Sequence, residues 1–279
     1  MALQHIEWLI ELEDSLRTAC GKQVRVYEFR YVKDDGALSE WARHFRNHYC
    51  LDTEIDALRA TRSRKQYLEE IKFPGETSQL GPGVRAGDFA EILVSDYLEW
   101  KLGFWVPRFR WRDKVVRDES SKGCDVVGFQ FAMKGTSSAR DVLATFESKA
   151  ALTKSNENRL QDAVAGSARD KLRIDESLNF LKQQMLNRHL LDDVKRIERF
   201  QSPVDNPYRS VFGAAAVLTN ESFDEKIICT TDSGRATKTK DPKVFLPHPR
   251  QDELTMIVIR GNDLMTLVHD LYALAANEA

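Results

Sequence analysis

The spacing of apolar residues predicts a mainly helical structure for the first eighty residues of the chain. Three stretches repeat apolar side chains at helical intervals, namely 6–16, 38–49 and 54–71. One strand is predicted at 24–31. Breakers then cluster at Pro74, Gly75, Gly81, Pro82 and Gly83. We therefore expect an N-terminal helical lobe over residues 1–80 and a second unit over residues 81–279.

From residue 81 onwards the pattern alternates between helices and strands, which is typical of an α/β fold. A helix at about 87–102 is followed by three predicted strands, at 105–111, 124–131 and 142–149. A mostly polar helical stretch at 156–187 precedes an apolar strand at 211–219. Residues 220–254 are charged and rich in Thr and Pro, which is typical of an insertion. A last strand at 255–260 and a helix capped by Asp263 complete the chain.

Two charged side chains lie at the end of the third predicted strand. Glu147 and Lys149 are two residues apart, so they project from the same face of a strand. If the strands at 124–131 and 142–149 form a hairpin through the polar segment 134–140, Asp125 lies opposite Glu147 and Lys149. We expect two carboxylates and one amine to meet at this end of the hairpin.

Such a cluster suits phosphodiester hydrolysis, because carboxylate oxygens bind Mg²⁺, and the metal polarises a phosphoryl oxygen and acidifies a bound water. Lys149 would orient that water and stabilise developing charge. The preceding helix adds Glu91, which shares a helix face with Val94 and Leu98 and so points toward the sheet. Asp88 competes with Glu91 as the helical acid, but it suits a dipole-stabilising place in the first turn. A lone Glu-Xaa-Lys triplet is commonly just solvated, and the ordered set is what favours catalysis.

The order and types of these residues resemble those of the PD-(D/E)XK nucleases. Three segments carry the resemblance: 85–98 (RAGDFAEILVSDYL), 123–129 (GCDVVGF) and 146–149 (FESK). More narrowly, these segments are similar to the HamA family of the Hachiman anti-phage defence system and to the related AbpA proteins. The similarity covers about residues 81–220. Cys124 stands where the motif's name has a proline.

The resemblance implies a restriction-endonuclease-like PD-(D/E)XK core, in which a mixed sheet is flanked by helices. It implies that Asp125, Glu147 and Glu91 hold Mg²⁺, for which Mn²⁺ can substitute, while Lys149 activates water. It further implies a DNA endonuclease that is the effector of a complex with a superfamily-two helicase encoded nearby. No small-molecule ligand is expected.

The strand predicted at 105–111 has a basic face. Arg108, Arg110, Arg112 and Lys114 alternate with other residues and would lie on one side of the strand. They are either a solvated edge defended by charge or a DNA-binding stripe that contacts phosphates. Gln161 lies on the following predicted helix, where many nucleases of this fold keep an extra polar residue that supports the site. A polar helix face explains Gln161 equally well.

Composition changes this picture in two ways. The chain has 279 residues, and its 41 Lys plus Arg are matched by 43 Asp plus Glu, so no global positive field attracts nucleic acid. Acidic residues in the first apolar stretch exclude a secretory signal, no apolar run is long enough to span a membrane, and the four cysteines lack zinc or redox spacing. We expect a cytoplasmic protein with free thiols.

The chain has no glycine-rich phosphate loop followed by Lys and Ser or Thr, so a motor that moves along DNA must come from a partner. The N-terminal lobe is not needed for the nuclease core and is the candidate docking surface. Two alternatives to a DNA endonuclease stay open. One is a non-cleaving nucleic-acid-binding or complex-forming module on a nuclease fold. The other is an RNase of the same fold, since a metal site does not read the sugar.

Overall fold

The computed structural model describes residues 3–238 and 245–279, and its centre is a mixed sheet of seven strands. Numbered along the chain, these strands are β1 (Leu9–Glu11), β2 (Leu16–Arg17), β3 (Gln23–Phe29), β4 (Val126–Gln130), β5 (Val142–Ala151), β6 (Arg209–Thr219) and β9 (Leu254–Gly261). Two further strands, β7 (Thr237–Lys238) and β8 (Phe245–Leu246), form a separate short ribbon.

The sheet has the order β1-β3-β9-β6-β5-β4, with β2 beside β3. β3, β9, β6 and β5 are parallel to one another, whereas β4 is antiparallel to β5, and β1 and β2 are antiparallel to β3. The middle strands are long apolar runs, because helices cover both faces of the sheet. β6, for example, is buried from Phe212 to Thr219. The predicted α/β class, with a mixed sheet flanked by helices, is confirmed.

The α-helices of the described residues are α1 (Asp35–Tyr49), α2 (Ile55–Leu58), α3 (Arg64–Tyr67), α4 (Gly81–Asp96), α5 (Arg159–Ser167), α6 (Asp170–Asn187), α7 (Leu191–Glu198), α8 (Glu225–Cys229) and α9 (Leu264–Asn277). π-helical turns at Leu68–Lys72 and Tyr97–Lys101 extend α3 and α4. The helices α1, α4 and α9 enclose one core on one face of the sheet. α5 covers the other face, and α6 with α7 encloses a third cluster around Phe129 and Phe200.

The first eighty residues share their sheet and their core with the rest of the chain. β3 pairs in parallel with β9, so that Val26 lies beside Val258. Trp41 of α1 packs against Phe89 of α4, with ring centroids 5.9 Å apart. The separate packing that the sequence suggests for residues 1–80 is therefore not found, because β3 needs β9 as a sheet partner. A docking role for this region stays a prediction.

Several predicted elements differ from the structure. Residues 6–16 form a 3₁₀ helix (Gln4–Trp8) followed by β1 and β2, because these strands pair with β3 and tertiary pairing outweighs helical spacing. Residues 105–111 form one bridge, between Trp105 and Phe129, and then turns instead of a strand. Residues 156–187 form two helices, α5 and α6, with a break at 168–169.

The predicted insertion at 220–254 contains α8, β7 and β8, while residues 239–244 lie outside the described residues. Asp263 does precede α9, but it has a left-handed backbone (φ 47°) and its side chain makes no capping hydrogen bond. All four cysteines are free thiols. Within residues 3–238 and 245–279, every helix is too short or too polar to cross a membrane.

Candidate active site

The β4–β5 hairpin brings three predicted site residues together. The register of the two strands places Asp125, the residue before β4, beside Glu147. The amide of Ser148 donates a hydrogen bond to Asp125 Oδ2 at 3.1 Å. Lys149 Nζ lies 2.5 Å from Glu147 Oε1 and 3.9 Å from Asp125 Oδ2. The hairpin pairing expected from the sequence is thus confirmed, and it forms a compact group of two acids and one amine.

Glu91 is linked to the hairpin through an arginine. Glu91 is buried on α4, and Arg110 Nε donates to its Oε2 at 2.8 Å. Arg110 Nη2 also donates to Asp125 Oδ1 at 2.9 Å. The remaining N–H groups of Arg110 donate to the backbone carbonyls of Ser121, Lys122 and Cys124. A guanidinium has five N–H donors, and all five are used here. Arg110 therefore clamps the segment 121–125 to α4.

Asp88 belongs to a neighbouring ion pair. It is buried, its carboxylate lies 2.6 and 2.7 Å from Lys114 Nζ, and it accepts a hydrogen bond from Tyr49 Oη at 2.8 Å. The first-turn, dipole-stabilising role expected for Asp88 is wrong, because α4 begins at Gly81 and Asp88 lies well inside it. Glu91 is the helical acid that Arg110 joins to Asp125.

The four basic residues predicted to form a solvent-facing stripe point inward instead. Arg110 and Lys114 pair with the acids just described. Arg108 pairs with Asp96 and Glu99, and Arg112 donates to the carbonyl of Asn47 at 3.1 Å. The stripe interpretation fails because segment 105–114 is not a strand, so side chains two apart do not share one exposed face.

Arg108 occupies a second group of potential ligands. In the part of the chain that the structure describes, one trio of His, Cys, Asp or Glu side chains has ligand atoms within 4.8 Å of one another: His44, His48 and Asp96. Arg108 Nη1 lies 2.9 Å from His48 Nε2 and 2.8 Å from Asp96 Oδ1. A guanidinium therefore already supplies the positive charge at that place.

Gln161 is not brought to the acidic group. Its side-chain oxygen accepts from the amide of Asp232 at 2.7 Å, and its amide nitrogen donates to the carbonyl of Asp232 at 3.3 Å. Both bonds hold the segment after α8 against α5. The polar-helix-face interpretation of Gln161 thus agrees with its contacts better than a supporting role at the site.

Three residues near Glu147 were missed by sequence reasoning. Arg173 Nη1 lies 3.9 Å from Glu147 Oε2 and 3.9 Å from Asp170 Oδ1. Gly166 of α5 lies directly against Glu147, since a Cβ at position 166 would be 2.3 Å from Glu147 Oε1. The i, i+3 spacing of Asp170 and Arg173 was visible in the sequence, but the packing of α5 and α6 on β5 was not.

The electrostatics of the group reflect its burial. Burial, and next the charge of Asp125, raise the pKa of the Glu147 carboxyl, although Lys149 opposes the shift. Burial also raises the pKa of the Glu91 carboxyl to about 8, with Arg110 opposing. Burial disfavours the Lys149 ammonium, but the charges of Asp125 and Glu147 outweigh it and raise the pKa of Lys149. Lys149 is therefore a stable cation beside the two acids.

The donor set suits a hard divalent cation. Asp125 Oδ2 and both oxygens of Glu147 are free of Arg110, and Glu147 Oε2 is buried without a hydrogen-bond partner among the described residues. Mg²⁺ and Mn²⁺ are bound by such oxygens, one or two carboxylates being sufficient. Asp125 and Glu147 fit as direct ligands, whereas the Glu91 carboxylate is taken up by Arg110.

A cleft opens at this end of the hairpin. It has a volume of about 860 Å³, and its walls include Glu91, Asp125, Lys149, Arg159 and Arg173. Beyond Arg110 lies a more apolar cavity of about 410 Å³, whose walls include Val106, Trp111 and Phe180. The larger cleft thus combines acidic groups with cationic side chains that suit a phosphate backbone.

A family model described as HamA matches residues 4–275. A search of curated proteins finds none that matches the chain. The match therefore extends over the first eighty residues as well as over the hairpin and its cleft.

Proposed function

The chain belongs to the HamA family and is therefore a component of the Hachiman anti-phage defence system, and from this premise we propose that it is a metal-dependent endonuclease that hydrolyses DNA. The proposal includes the PD-(D/E)XK assignment of the core. It also includes a superfamily-two helicase as the partner that supplies movement along DNA.

One observation carries the proposal. The paired ends of β4 and β5 hold Asp125, Glu147 and Lys149 within a single group, with Lys149 2.5 Å from one acid and 3.9 Å from the other. A sheet edge that only faced solvent has no need to bury Glu147, which is 3% exposed. Buried acids beside a lysine in a cleft match what phosphodiester hydrolysis requires.

Asp125 and Glu147 are the residues that would hold Mg²⁺ or Mn²⁺. When bound, the ion supplies Lewis-acid polarisation of a phosphoryl oxygen and lowers the pKa of a water molecule. Glu91 acts through Arg110, which fixes Asp125 Oδ1 and leaves Oδ2 available.

Lys149 and two arginines act on the substrate and not on the metal. Lys149 stays protonated, so its ammonium binds an anionic oxygen and stabilises charge that develops during the reaction. Arg159 and Arg173, on α5 and α6, line the cleft and can contact phosphates on either side of the cut. The cationic walls are local, in keeping with a chain of net charge -2.

The test is cleavage of plasmid DNA by the purified chain, with and without the neighbouring helicase, in Mg²⁺ or EDTA. Glu147→Gln and Lys149→Met are expected to abolish cleavage while the thermal melting temperature stays near that of the wild type, because neither change opens a cavity. Lys154→Ala is the matched control, since Lys154 is an exposed lysine three residues after the end of β5, and it should cleave normally. Normal cleavage by either site variant would refute the assignment.

A second candidate function is a non-cleaving nucleic-acid-binding module. It is favoured by the fact that Arg110 and Lys149 already balance the charges of Asp125 and Glu147 without a metal. In that case the chain binds DNA equally well in Mg²⁺ and in EDTA, and the cleavage assay shows no cut strand with or without the helicase.

A further inference from the structure

Asp170 is a buried acid whose carboxyl oxygens lack a hydrogen-bond partner among the described residues. It is the first residue of α6 and is 0% exposed. Neither of its oxygens has a hydrogen-bond partner among the described residues. The nearby thiol of Cys124 lies 4.0 Å from the backbone carbonyl oxygen of Asp170, which makes it at most a weak partner. Burying an acid without strong hydrogen bonds is costly, so the position of Asp170 calls for a ligand.

The unpartnered oxygen of Glu147 belongs to the same place. Glu147 Oε2 and Asp170 Oδ1 both lie 3.9 Å from Arg173 Nη1, which is too long for a hydrogen bond. Glu147 Oε2 is also buried and without a partner in the described part of the chain. Two carboxylates therefore present three unused oxygens to one distant guanidinium nitrogen.

Without a cation, burial and then the charges of Glu147 and Asp125 raise the pKa of Asp170 to about 8, so the carboxyl group holds a proton that an entering cation would displace. The donors are oxygens only, since burial raises the pKa of the Cys124 thiol and keeps it protonated. Oxygen donors select a hard cation.

We propose that Asp170 and Glu147 Oε2 form a second divalent-cation site, adjacent to the one proposed at Asp125, with Glu147 as the ligand common to both. The proposal rests on the proposed metal-dependent function of the first site. Glu147 directs Oε1 toward Lys149, which also lies 3.9 Å from Asp125, and Oε2 toward Arg173, which also lies 3.9 Å from Asp170. One carboxylate therefore faces both positions. In two-metal sites, a carboxylate that binds both cations keeps them close together, and the two cations stabilise the attacking and the leaving oxygen of the displacement.

Arg173 covers the second position. Its side chain is 31% exposed, lies on α6 and lines the larger cleft, whereas Glu147 and Asp170 lie beneath it. Because its guanidinium is 3.9 Å from each acid, it contributes long-range charge without directed hydrogen bonds. An entering cation displaces this side chain into the cleft, where it is free to contact a phosphate.

The test is a titration of the full-length chain with Mn²⁺, followed by the electron paramagnetic resonance signal of the free ion, which counts bound ions without any cleavage. Wild-type protein is expected to bind two Mn²⁺ ions per chain, and Asp170→Asn one. Asp175→Asn, an exposed acid on the same helix, is the matched control for the change in charge and should still bind two. Arg173→Gln should tighten the weaker binding event at least threefold.

The outcomes separate this inference from the proposed function. One bound ion in the wild type, or two in Asp170→Asn, overturns the second site. A weaker second event in Arg173→Gln overturns the covering role of Arg173. Asp170→Asn should melt no lower than wild type without metal, because an amide has the size of the carboxyl group and carries no charge to bury. If plasmid is cut while only one ion binds, the nuclease function stands and the second site fails. If two ions bind and Asp170→Asn loses one but no DNA is cut, the second site stands and the nuclease function fails.

Discussion

Single residues decide which carboxylate oxygens around the hairpin end are available to a cation. Asp125 has one oxygen on Arg110, and the other accepts from Ser148. Glu147 has one oxygen on Lys149, and the other has no hydrogen-bond partner among described residues. The two acids therefore differ in the number of carboxylate oxygens that are left without a hydrogen bond. This difference is set by the residues around each acid, because the two side chains have the same carboxylate chemistry.

Arg110→Lys should weaken both folding and metal binding. A lysine keeps the charge but has three donors in place of five, so backbone carbonyls at 121–124 lose partners and Asp125 loses its clamp. We expect the free energy of unfolding to fall by about 2–4 kcal/mol and the Mn²⁺ affinity to fall about tenfold. Urea denaturation and Mn²⁺ titration measure the two effects.

Arg112→Lys is the matched control for Arg110→Lys, because Arg112 donates one bond to a backbone carbonyl and touches neither site acid. It should leave Mn²⁺ affinity unchanged. If Arg110→Lys instead binds Mn²⁺ more tightly than wild type, Arg110 competes with the metal and the positioning role is wrong.

Gly166→Ala should displace Glu147. A Cβ at this position would lie 2.3–2.5 Å from the end of the Glu147 side chain, which is closer than atoms can approach. Alanine stabilises a helix by about 1 kcal/mol relative to glycine, and this gain offsets the cost of displacing Glu147. The free energy of unfolding should therefore change little, while the affinity for Mn²⁺ falls. Gly87→Ala in α4 is the control, since its Cβ meets nothing within 4 Å. Equal Mn²⁺ affinity in the two variants would contradict the prediction.

At the scale of elements, the site depends on how the β4–β5 hairpin is joined to α4 and α6. The segment before β4 bends sharply at Gly123, whose φ is +94°. The next amide, that of Cys124, donates to Ser177 Oγ of α6 at 3.0 Å. Arg110 then ties the same segment to α4. These contacts aim Asp125 at β5, and they explain why the strand begins only at Val126.

Gly123→Ala should disturb the site beyond its effect on stability. A non-glycine residue at positive φ is strained by about 1–2 kcal/mol, and the added Cβ would lie 2.9 Å from Ser177 Oγ. Gly135→Ala has a similar φ of +74° at the far turn of the same hairpin, with nothing within 4 Å. Both variants should lose stability, and Gly123→Ala alone should lose Mn²⁺ affinity. An equal loss of Mn²⁺ affinity in both variants would show that Gly123 has no specific role at the site.

At the scale of the whole molecule, charge is balanced inside the fold as well as on its surface. The chain is nearly neutral overall, yet Glu91, Asp125, Asp88 and Asp96 each pair with an inward-pointing Arg or Lys. Buried histidines follow a different rule: burial lowers the pKa of His5, His48 and His248, so each folds as a neutral ring. Acid must therefore oppose folding.

His248→Gln should make the protein less sensitive to acid. Burial lowers the pKa of His248 to about 4, against 6.5 in the unfolded chain. The unfolded state thus binds more protons as pH falls from 6.5 to 4, and the stability present above pH 6.5 is lost over that window. We expect wild type to lose about 2 kcal/mol more than His248→Gln between pH 7 and pH 4.5. Urea denaturation at both values measures this, and parallel pH curves would disprove it.

Sequence patterns predicted those features that depend on local spacing. The two-residue spacing of Glu147 and Lys149, the apolar runs of β5 and β6 and the stripe of α9 follow from the periods of strands and helices. The hairpin register followed as well, since a polar turn between two strands determines which residues are opposite. The α/β class and the grouping of Asp125, Glu147 and Lys149 were therefore available from the sequence alone.

Tertiary structure decided everything that depends on partners distant along the chain. Residues 105–111 have a strand-like pattern, yet only Trp105 finds a strand partner, so the arginines turn inward and neutralise Glu91, Asp125 and Asp96. β3 joins the sheet through β9, more than two hundred residues away, which removes the expected lobe. Asp170 and Gly166 come close to Glu147 only because α5 and α6 pack on β5. Periodicity states which face of an element is apolar, but long-range packing and the pairing of buried charges select what that face meets.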